Sequence, residues 1–341
     1  MKSCVVYRLF PILTTPSSAW AAKHITNEDR RPAMINELTP QDTFYDYYRQ
    51  WVAMYKEGAV RDVTLGKYRL TCMWLQRLIP LLTLAELNRV TYQKLLNDYA
   101  QSHERQTTMD FHHQLKGAVL DAVDEGLIDR DSTRKAIIKG RAPRAKKQKY
   151  LNQFELHRLL NDLELGPEVS WDWLILLIAK TGLRFSEAIA LTPTDFDFSR
   201  QIVSVNKTWD YKSGTGFVPT KNRSSIRKVQ LDWQLVIQFS ELTRALPPDE
   251  PIFVRGPIYN STANDVLARH CSNAGVPIIS VHGLRHTHAS ILLFAGVSIA
   301  SVAKRLGHAS INTTQKTYLH IIQELENQDV DLVMRSISSL T

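Results

Sequence analysis

Residues 134–149, RKAIIKGRAPRAKKQK, constrain the possible folds of this chain more than any other stretch. They hold eight basic residues, no acidic one and almost nothing apolar after Ile138. A segment of that composition cannot bury enough apolar surface to join a core. It therefore separates two parts of the chain, each of which needs a core of its own. With 341 residues there is enough length on both sides. Gly140 and Pro143 inside the run fit an interdomain linker.

The net charge of the whole chain, +8, equals the number of basic residues in that one run. Such a run reads either as a solvated linker or as a clamp on a polyanion such as a DNA backbone. Apolar residues make up 44% and charged residues 22%, which describes an ordinary globular chain and not a disordered one. The three cysteines, Cys4, Cys72 and Cys271, lie far apart with no CxxC pair, so no disulfide framework is expected and a reducing cytoplasm is. No run of about 18 apolar residues occurs, so no membrane span is expected.

Before the basic run the pattern is helical. TFYDYYRQWVAMYKE carries Phe44, Tyr47, Tyr48, Trp51, Val52 and Tyr55 on one stripe. TLGKYRLTCMWLQRL runs up to Ile79 and is stopped by Pro80, and Phe111, Leu115, Val119 and Val123 recur at spacing four ahead of a terminating Gly126. The expectation is a helical domain over 41–133, preceded by an irregular leader over 1–40. That leader loosely imitates a secretory signal, although Arg8 and Pro11 interrupt its apolar part. After the run, WDWLILLIAK reads as a buried helix broken at Gly182, and QIVSVNKTWD, GFVPTK and SSIRKVQL read as short strands. The remainder is helical. The fold class expected is mainly α with a small antiparallel β-sheet in the second domain, 150–326, followed by a tail over 327–341.

Four places in the second domain carry possible chemistry. Arg184, in TGLRFSEAIAL, sits at a helix start, where a cation opposes the helix dipole unless it faces an anion beside the free backbone donors. Lys221 lies near a turn between two expected strands, where a lysine commonly serves solubility alone. In HGLRHTHAS, His282 and Arg285 share a helix face. His282 and His286 are four apart, as zinc ligands can be, but no third ligand follows nearby in sequence. In RLGHASINTTQKTYLH, His308 follows a helix-ending Gly307, and Tyr318 stands ten residues on among polar neighbours. That stretch also reads as a helix-turn-helix with a core tyrosine. Taken together the set suits metal-free phosphodiester cleavage. Two arginines fork a phosphate, a lysine and histidines move protons, and a tyrosine attacks.

In order and spacing these residues resemble the tyrosine recombinases, the phage-type integrases. The family signature is Arg, Lys in a β-hairpin, His-x-x-Arg, His or Trp, then Tyr. Here it reads Arg184, Lys221, His282, Arg285, His308 and Tyr318, with twenty-three residues from Arg285 to His308. The resemblance covers about 150–325, and more weakly 43–128, which is similar to the family's core-binding domain. It implies a two-domain DNA clamp that cleaves specific sites through a 3′-phosphotyrosine and rejoins them, with no metal, no ATP and no other cofactor. By resemblance, Arg184 and Arg285 clamp the phosphate and Lys221 protonates the leaving 5′-oxygen. His282 assists proton transfer, His308 bonds the phosphate and Glu187 supports the site. Arg141, Arg144, Lys146, Lys147 and Lys149 would follow the DNA backbone. The implied partners are double-stranded DNA carrying attachment-type sites, three further copies of the chain in a tetrameric synapse, a host DNA-bending protein and a directionality factor. The tail, with Val330, Leu332, Val333, Ile337 and Leu340, is expected to dock on a neighbour. Residues 1–40 are too short and irregular for an arm-site-binding domain. The competing readings are a DNA binder without catalysis and a type IB topoisomerase.

Overall fold

The computed structural model describes residues 38–142 and 148–318. The chain divides into two compact units, with the division between Ala145 and Lys146. Both are mainly helical, and the β-structure lies in the second.

The first unit contains α1 (Phe44–Tyr55), α2 (Asp62–Leu78), α3 (Arg89–Ala100) and α4 (Arg105–Asp124). Local chemistry sets their limits. The Thr43 side chain accepts the Asp46 N–H at the start of α1, and Asn88 and Thr91 form a reciprocal capping box at the start of α3. Pro80, without an N–H, follows the end of α2, and Gly126 takes a φ of +75° just beyond α4. The core is aromatic, with Phe44, Tyr47, Tyr48, Trp51, Tyr92 and Phe111 packed among leucines. Most of its polar tips are satisfied, although the buried Tyr48 Oη has no hydrogen-bond partner among the described residues. Tyr47 Oη donates to Glu125 (2.9 Å), Trp51 Nε1 donates to Asp121, and Tyr92 Oη lies 2.8 Å from His112 Nδ1.

The expected linker behaves differently along its length. Its first part belongs to the first unit. Ala136 and Ile138 pack on that core, and Gln93 exchanges two side-chain hydrogen bonds with the backbone of Ile137 (both 2.9 Å). The Arg141 N–H donates to His103 O at 2.8 Å, and Arg141 Nε donates to Gln101 O at 2.6 Å. Gly140 is required there, because a Cβ would stand 2.2 Å from the Arg105 nitrogen. The few apolar residues at the front of the run are enough to anchor it, and composition averaged over the run hides them. Arg144, Lys146 and Lys147 lie outside the described residues, as do the leader up to residue 37 and everything after Tyr318.

The second unit begins with α5 (Gln153–Asn161), whose Asn152 cap forms a capping box with Glu155. The buried helix α6 (Trp171–Thr181) follows, then the single turn α7 (Phe185–Ala188). The strands are β1 (Phe196–Asp197), β2 (Ile202–Val205), β3 (Lys207–Asp210), β4 (Gly216–Pro219) and β5 (Arg227–Gln230). Helices α8 (Trp233–Leu242), α9 (Asn260–Asn273), α10 (Val281–Phe294) and α11 (Ile299–Leu306) complete it, with a last helix, α12, over 311–318. Leu174, Leu177 and Ile178 of α6 are fully buried at the centre of the core.

The single small sheet expected from the sequence is two. One has the antiparallel order β1-β2-β5, with Val205 opposite Arg227 and Ile202 opposite Gln230. The other is the hairpin β3-β4, with Asp210 opposite Gly216. The hairpin is thus an excursion inside the connection between the paired strands β2 and β5. Alternating apolar residues mark a strand but carry no information about its partner. The excursion packs on α7, where Tyr211 meets Phe185 edge-to-face at 5.2 Å.

Candidate active site

The site is organised by the end of α11. Gly307, with a φ of +69°, closes that helix in a Schellman arrangement: Gly307 N–H bonds Lys304 O (3.1 Å) and His308 N–H bonds Ala303 O (3.0 Å). The next three carbonyls each receive a guanidinium. Arg227 Nε donates to Arg305 O (2.6 Å), Arg285 Nη2 to Leu306 O (2.7 Å) and Arg184 Nη2 to Gly307 O (3.3 Å). Helix C-termini leave such carbonyls without intrahelical partners and carry partial negative charge, so they attract cations. Gly307 is held close on all sides. A Cβ would stand 2.9 Å from Arg227 Nη1 and 3.1 Å from Ser224 O.

Glu187 sits in the middle, 1% exposed, and ties two of the arginines together. Arg184 Nη1 donates to Oε1 at 2.7 Å, and Arg227 Nη2 donates to Oε2 at 3.0 Å. Burial opposes ionisation of Glu187, yet Arg227 and Arg184 outweigh it and hold the carboxyl below its ordinary range. Arg184 sits at a helix start, and the anion it faces there is the Glu187 carboxylate. Arg184 caps one helical turn, and its own N–H is taken by Glu187 Oε2 at 2.9 Å.

Arg285, 3% exposed on α10, also donates through Nη1 to Gly182 O (2.7 Å). Burial, with Arg184 beside it, pulls its pKa down to about 9, so it stays a cation at neutral pH. Three arginines therefore surround one carboxylate, an excess of two positive charges (3 − 1). A guanidinium has five N–H donors, so each keeps some beyond these bonds.

The histidines divide by role. The His308 Nδ1 is engaged by the buried Thr314 Oγ1 at 2.7 Å, which orients the ring. Burial and then Arg285, Arg184 and Arg227 push its pKa down to about 4. His282 is exposed, and its pKa is lowered by burial of the ring on one side and by Arg285 and Arg184. His288 is structural. Its Nδ1–H donates to Ala179 O (3.0 Å), so Nε2 is the atom that accepts from Arg305 Nε (2.9 Å). The same ring lies where a Cβ on Gly182 would be, 2.7 Å away.

Tyr318 is 2% exposed and packs with Ala289, Leu293, Val302 and Leu306. Its polar sequence neighbours point elsewhere, because on α12 only one face meets this cluster. Its hydroxyl nevertheless reaches a polar partner, His286 Nδ1, at 3.0 Å. Burial pushes the phenol up to about 12, with Arg285 acting the other way.

Of the sequence candidates, the fold brings together Arg184, Glu187, His282, Arg285, His308 and Tyr318. Lys221 lies between β4 and β5, the two strands expected to flank it. It is exposed in the β2–β5 excursion beyond β4, outside the turn of the β3–β4 hairpin, and makes no hydrogen bond or ion pair among the described residues. Arg141 is partly used by the backbone of the first unit, and Lys149 is exposed just ahead of α5. Sequence reasoning missed Arg227 and Thr314 and weighed His286 only as a zinc ligand. Arg227 had a signal: on β5 it alternates inward with Val229, while Lys228 and Gln230 face out. Among the described residues no three His, Cys, Asp or Glu side chains are placed to hold a metal ion, and no helix is long and apolar enough to cross a membrane.

The fold and this cluster define a class that comparison identifies. The chain belongs to the phage integrase family, whose profile matches residues 149–324. It is 27% identical to the integrase of Staphylococcus phage L54a over 168 residues, 44% of this chain and 48% of that protein. It is 25% identical to a XerC-like tyrosine recombinase of Caldanaerobacter subterraneus subsp. tengcongensis over 268 residues, 70% of this chain and 68% of that one. The chain thus spans about half the length of the L54a integrase and two thirds of the XerC-like protein. The fold is similar to that of the Tn1549 transposon integrase solved in complex with transposon right-end DNA, with a TM-score of 0.68, 18% identity, and coverage of 81% of this chain and 95% of that one.

Proposed function

We propose that this protein is a site-specific DNA recombinase, the integrase and excisionase of a prophage or integrative element. The observation that carries the reading is the convergence of Arg184, Arg285 and Arg227 on the end of α11, with the Tyr318 hydroxyl next to the helix that bears Arg285. An excess of two positive charges there suits a phosphodiester, whose non-bridging oxygens gain charge as a nucleophile attacks. Fixed guanidiniums stabilise that charge more in the transition state than in the ground state.

In this mechanism Tyr318 attacks the scissile phosphorus. Arg184 and Arg285 hold the non-bridging oxygens, and His308, oriented by Thr314, donates to one of them. His282 assists proton transfer, and Lys221, carried by the β2–β5 excursion, protonates the leaving 5′-oxygen. Glu187 and Arg227 position Arg184. The phosphotyrosine keeps the energy of the broken bond, so a partner strand is joined without ATP or a metal. Four protomers assemble on paired sites in the cytoplasm.

The test is covalent trapping on a nicked suicide duplex that the protein binds specifically, without divalent metal, read on a denaturing gel. A protein–DNA band should form, and Tyr318→Phe should abolish it while leaving DNA affinity within about two-fold. Specific binding with no band would favour the binder without catalysis. Neutralising Arg144, Lys146, Lys147 and Lys149 together should weaken binding to all sequences alike and lower the slope of log K against log salt by about 3 to 4. Loss confined to one sequence would make these residues base readers.

A further inference from the structure

The recombinase reading has His282 assist proton transfer but names no acceptor in contact with the Tyr318 hydroxyl. A phenol held near a pKa of 12 is a poor nucleophile at neutral pH unless a base removes its proton during attack. The nearest arginine can stabilise a phenolate but has no lone pair to accept a proton. One side chain that can is in contact. His286 Nδ1 is 3.0 Å from Tyr318 Oη, within the range for direct proton transfer, and the two rings meet edge-on at 5.8 Å. His282 packs perpendicular to His286 at 4.8 Å and limits its rotation. Both His286 and Arg285 sit on α10, so the base and the phosphate clamp are carried by one rigid element.

We propose that His286 is the catalytic base for Tyr318, accepting its proton at Nδ1 in cleavage and returning it in rejoining. This rests on the recombinase reading above. In cleavage the Tyr318 Oη–phosphorus bond forms and the bond from phosphorus to the 5′-oxygen breaks. The phenolic proton passes to His286, and the 5′-oxygen leaves as a hydroxyl with a proton from Lys221. In rejoining, the incoming 5′-hydroxyl gives its proton to Lys221 and the His286 imidazolium restores the phenol. The role needs a neutral imidazole beforehand. The cations and rings around it favour that state: Arg285 and His282 on α10, Lys149 before α5, His308 after α11. Burial first, then His282, Arg285 and Lys149, push its pKa down to about 4.

The experiment measures the rate of covalent adduct formation by the full chain on the same suicide duplex from pH 6 to 9. It uses the parent protein, His286→Asn and His286→Phe, each checked for DNA affinity and melting temperature. Asparagine keeps an acceptor for the Tyr318 hydroxyl but cannot take the proton, and phenylalanine offers neither. Both variants should be slower than the parent by about 100-fold at pH 7. Their rates should climb with pH as bulk base substitutes, while the parent stays flat. A parent-like rate in either variant would overturn the proposal. So would a deficit of the same size at every pH, which marks a merely structural role. If one variant fails to fold, the other decides by the same criteria. No adduct in the parent would instead overturn the recombinase reading, and this inference with it.

Discussion

The two units bury polar groups in opposite ways. In the first, the polar contacts that tie helices together are simple pairs, Tyr92 with His112, Tyr47 with Glu125 and Trp51 with Asp121, and Tyr48 Oη is buried with no hydrogen-bond partner among the described residues. In the second, three guanidiniums crowd one carboxylate and a helix end. A matched pair finishes a fold, because nothing further is gained by adding charge. An unmatched cluster stores unfavourable energy that an anion relieves, so it marks where a ligand acts. The aromatic unit reads as scaffold and the arginine-rich one as chemistry, and the distinction is physical, independent of any motif.

That contrast can be broken most directly at Arg227. Arg227→Met keeps the bulk but leaves the buried Glu187 with half its pairing and Arg305 O without its donor. The expected loss is about 3–5 kcal/mol, measured by denaturant unfolding. Glu187→Gln in the same background should recover part of it. Additive losses would mean that the cluster is not a coupled unit.

Acid should separate the units next. The pKa values of His286 and His308 are pushed down to about 4, and that of His288 to about 3, from an ordinary 6.5. A group with a depressed folded-state pKa contributes stability that is complete above the unfolded value. That stability is lost as pH falls towards the folded one. The second unit should therefore weaken from about pH 6.5 downwards, and again below about 4.5 as Glu187 protonates. Among its described residues the first unit has one histidine whose pKa is pushed down, His112, and it should lag. Hydrogen exchange as a function of pH reads both units in one sample. Simultaneous loss of protection would show that the histidine burden does not decide acid stability. The smallest effect belongs to the matched pairs. Tyr92→Phe, which leaves His112 Nδ1 without its partner, should cost about 1–2 kcal/mol and leave adduct formation unchanged. A larger loss of activity than of stability would refute the scaffold reading.

Much of the fold was open to reading from sequence because its signals are local. Asn152 capping α5, Pro80 ending α2 and Gly182 and Gly307 ending α6 and α11 all act within a turn or two. The candidate site was open to reading for a related reason: Arg184 and His282 stand at helix starts and His308 follows a helix end, where local signals are strong. What escaped was whatever depends on partners distant in sequence. The split of the strands into two sheets follows from β2 choosing β5, twenty-two residues ahead at Val205 and Arg227. The front of the basic run has a linker's composition, and its anchor, Gln93, is 44 residues away.

Tyr318 shows both sides of that divide. Sequence alone determined its type, its distance from His308 and its place on a helix, because these are properties of the covalent chain and of local backbone preference. Only the tertiary structure decided that its ring is core and its hydroxyl is not. α12 turns the ring into the cluster of Leu293, Val302 and Leu306, while α10 brings His286 to its oxygen. The end of α11 is the same case. Its glycine was legible, but the three arginines that meet there come from elements up to 123 residues away. They are gathered by the negative end of a helix that acquires its field only once it has folded.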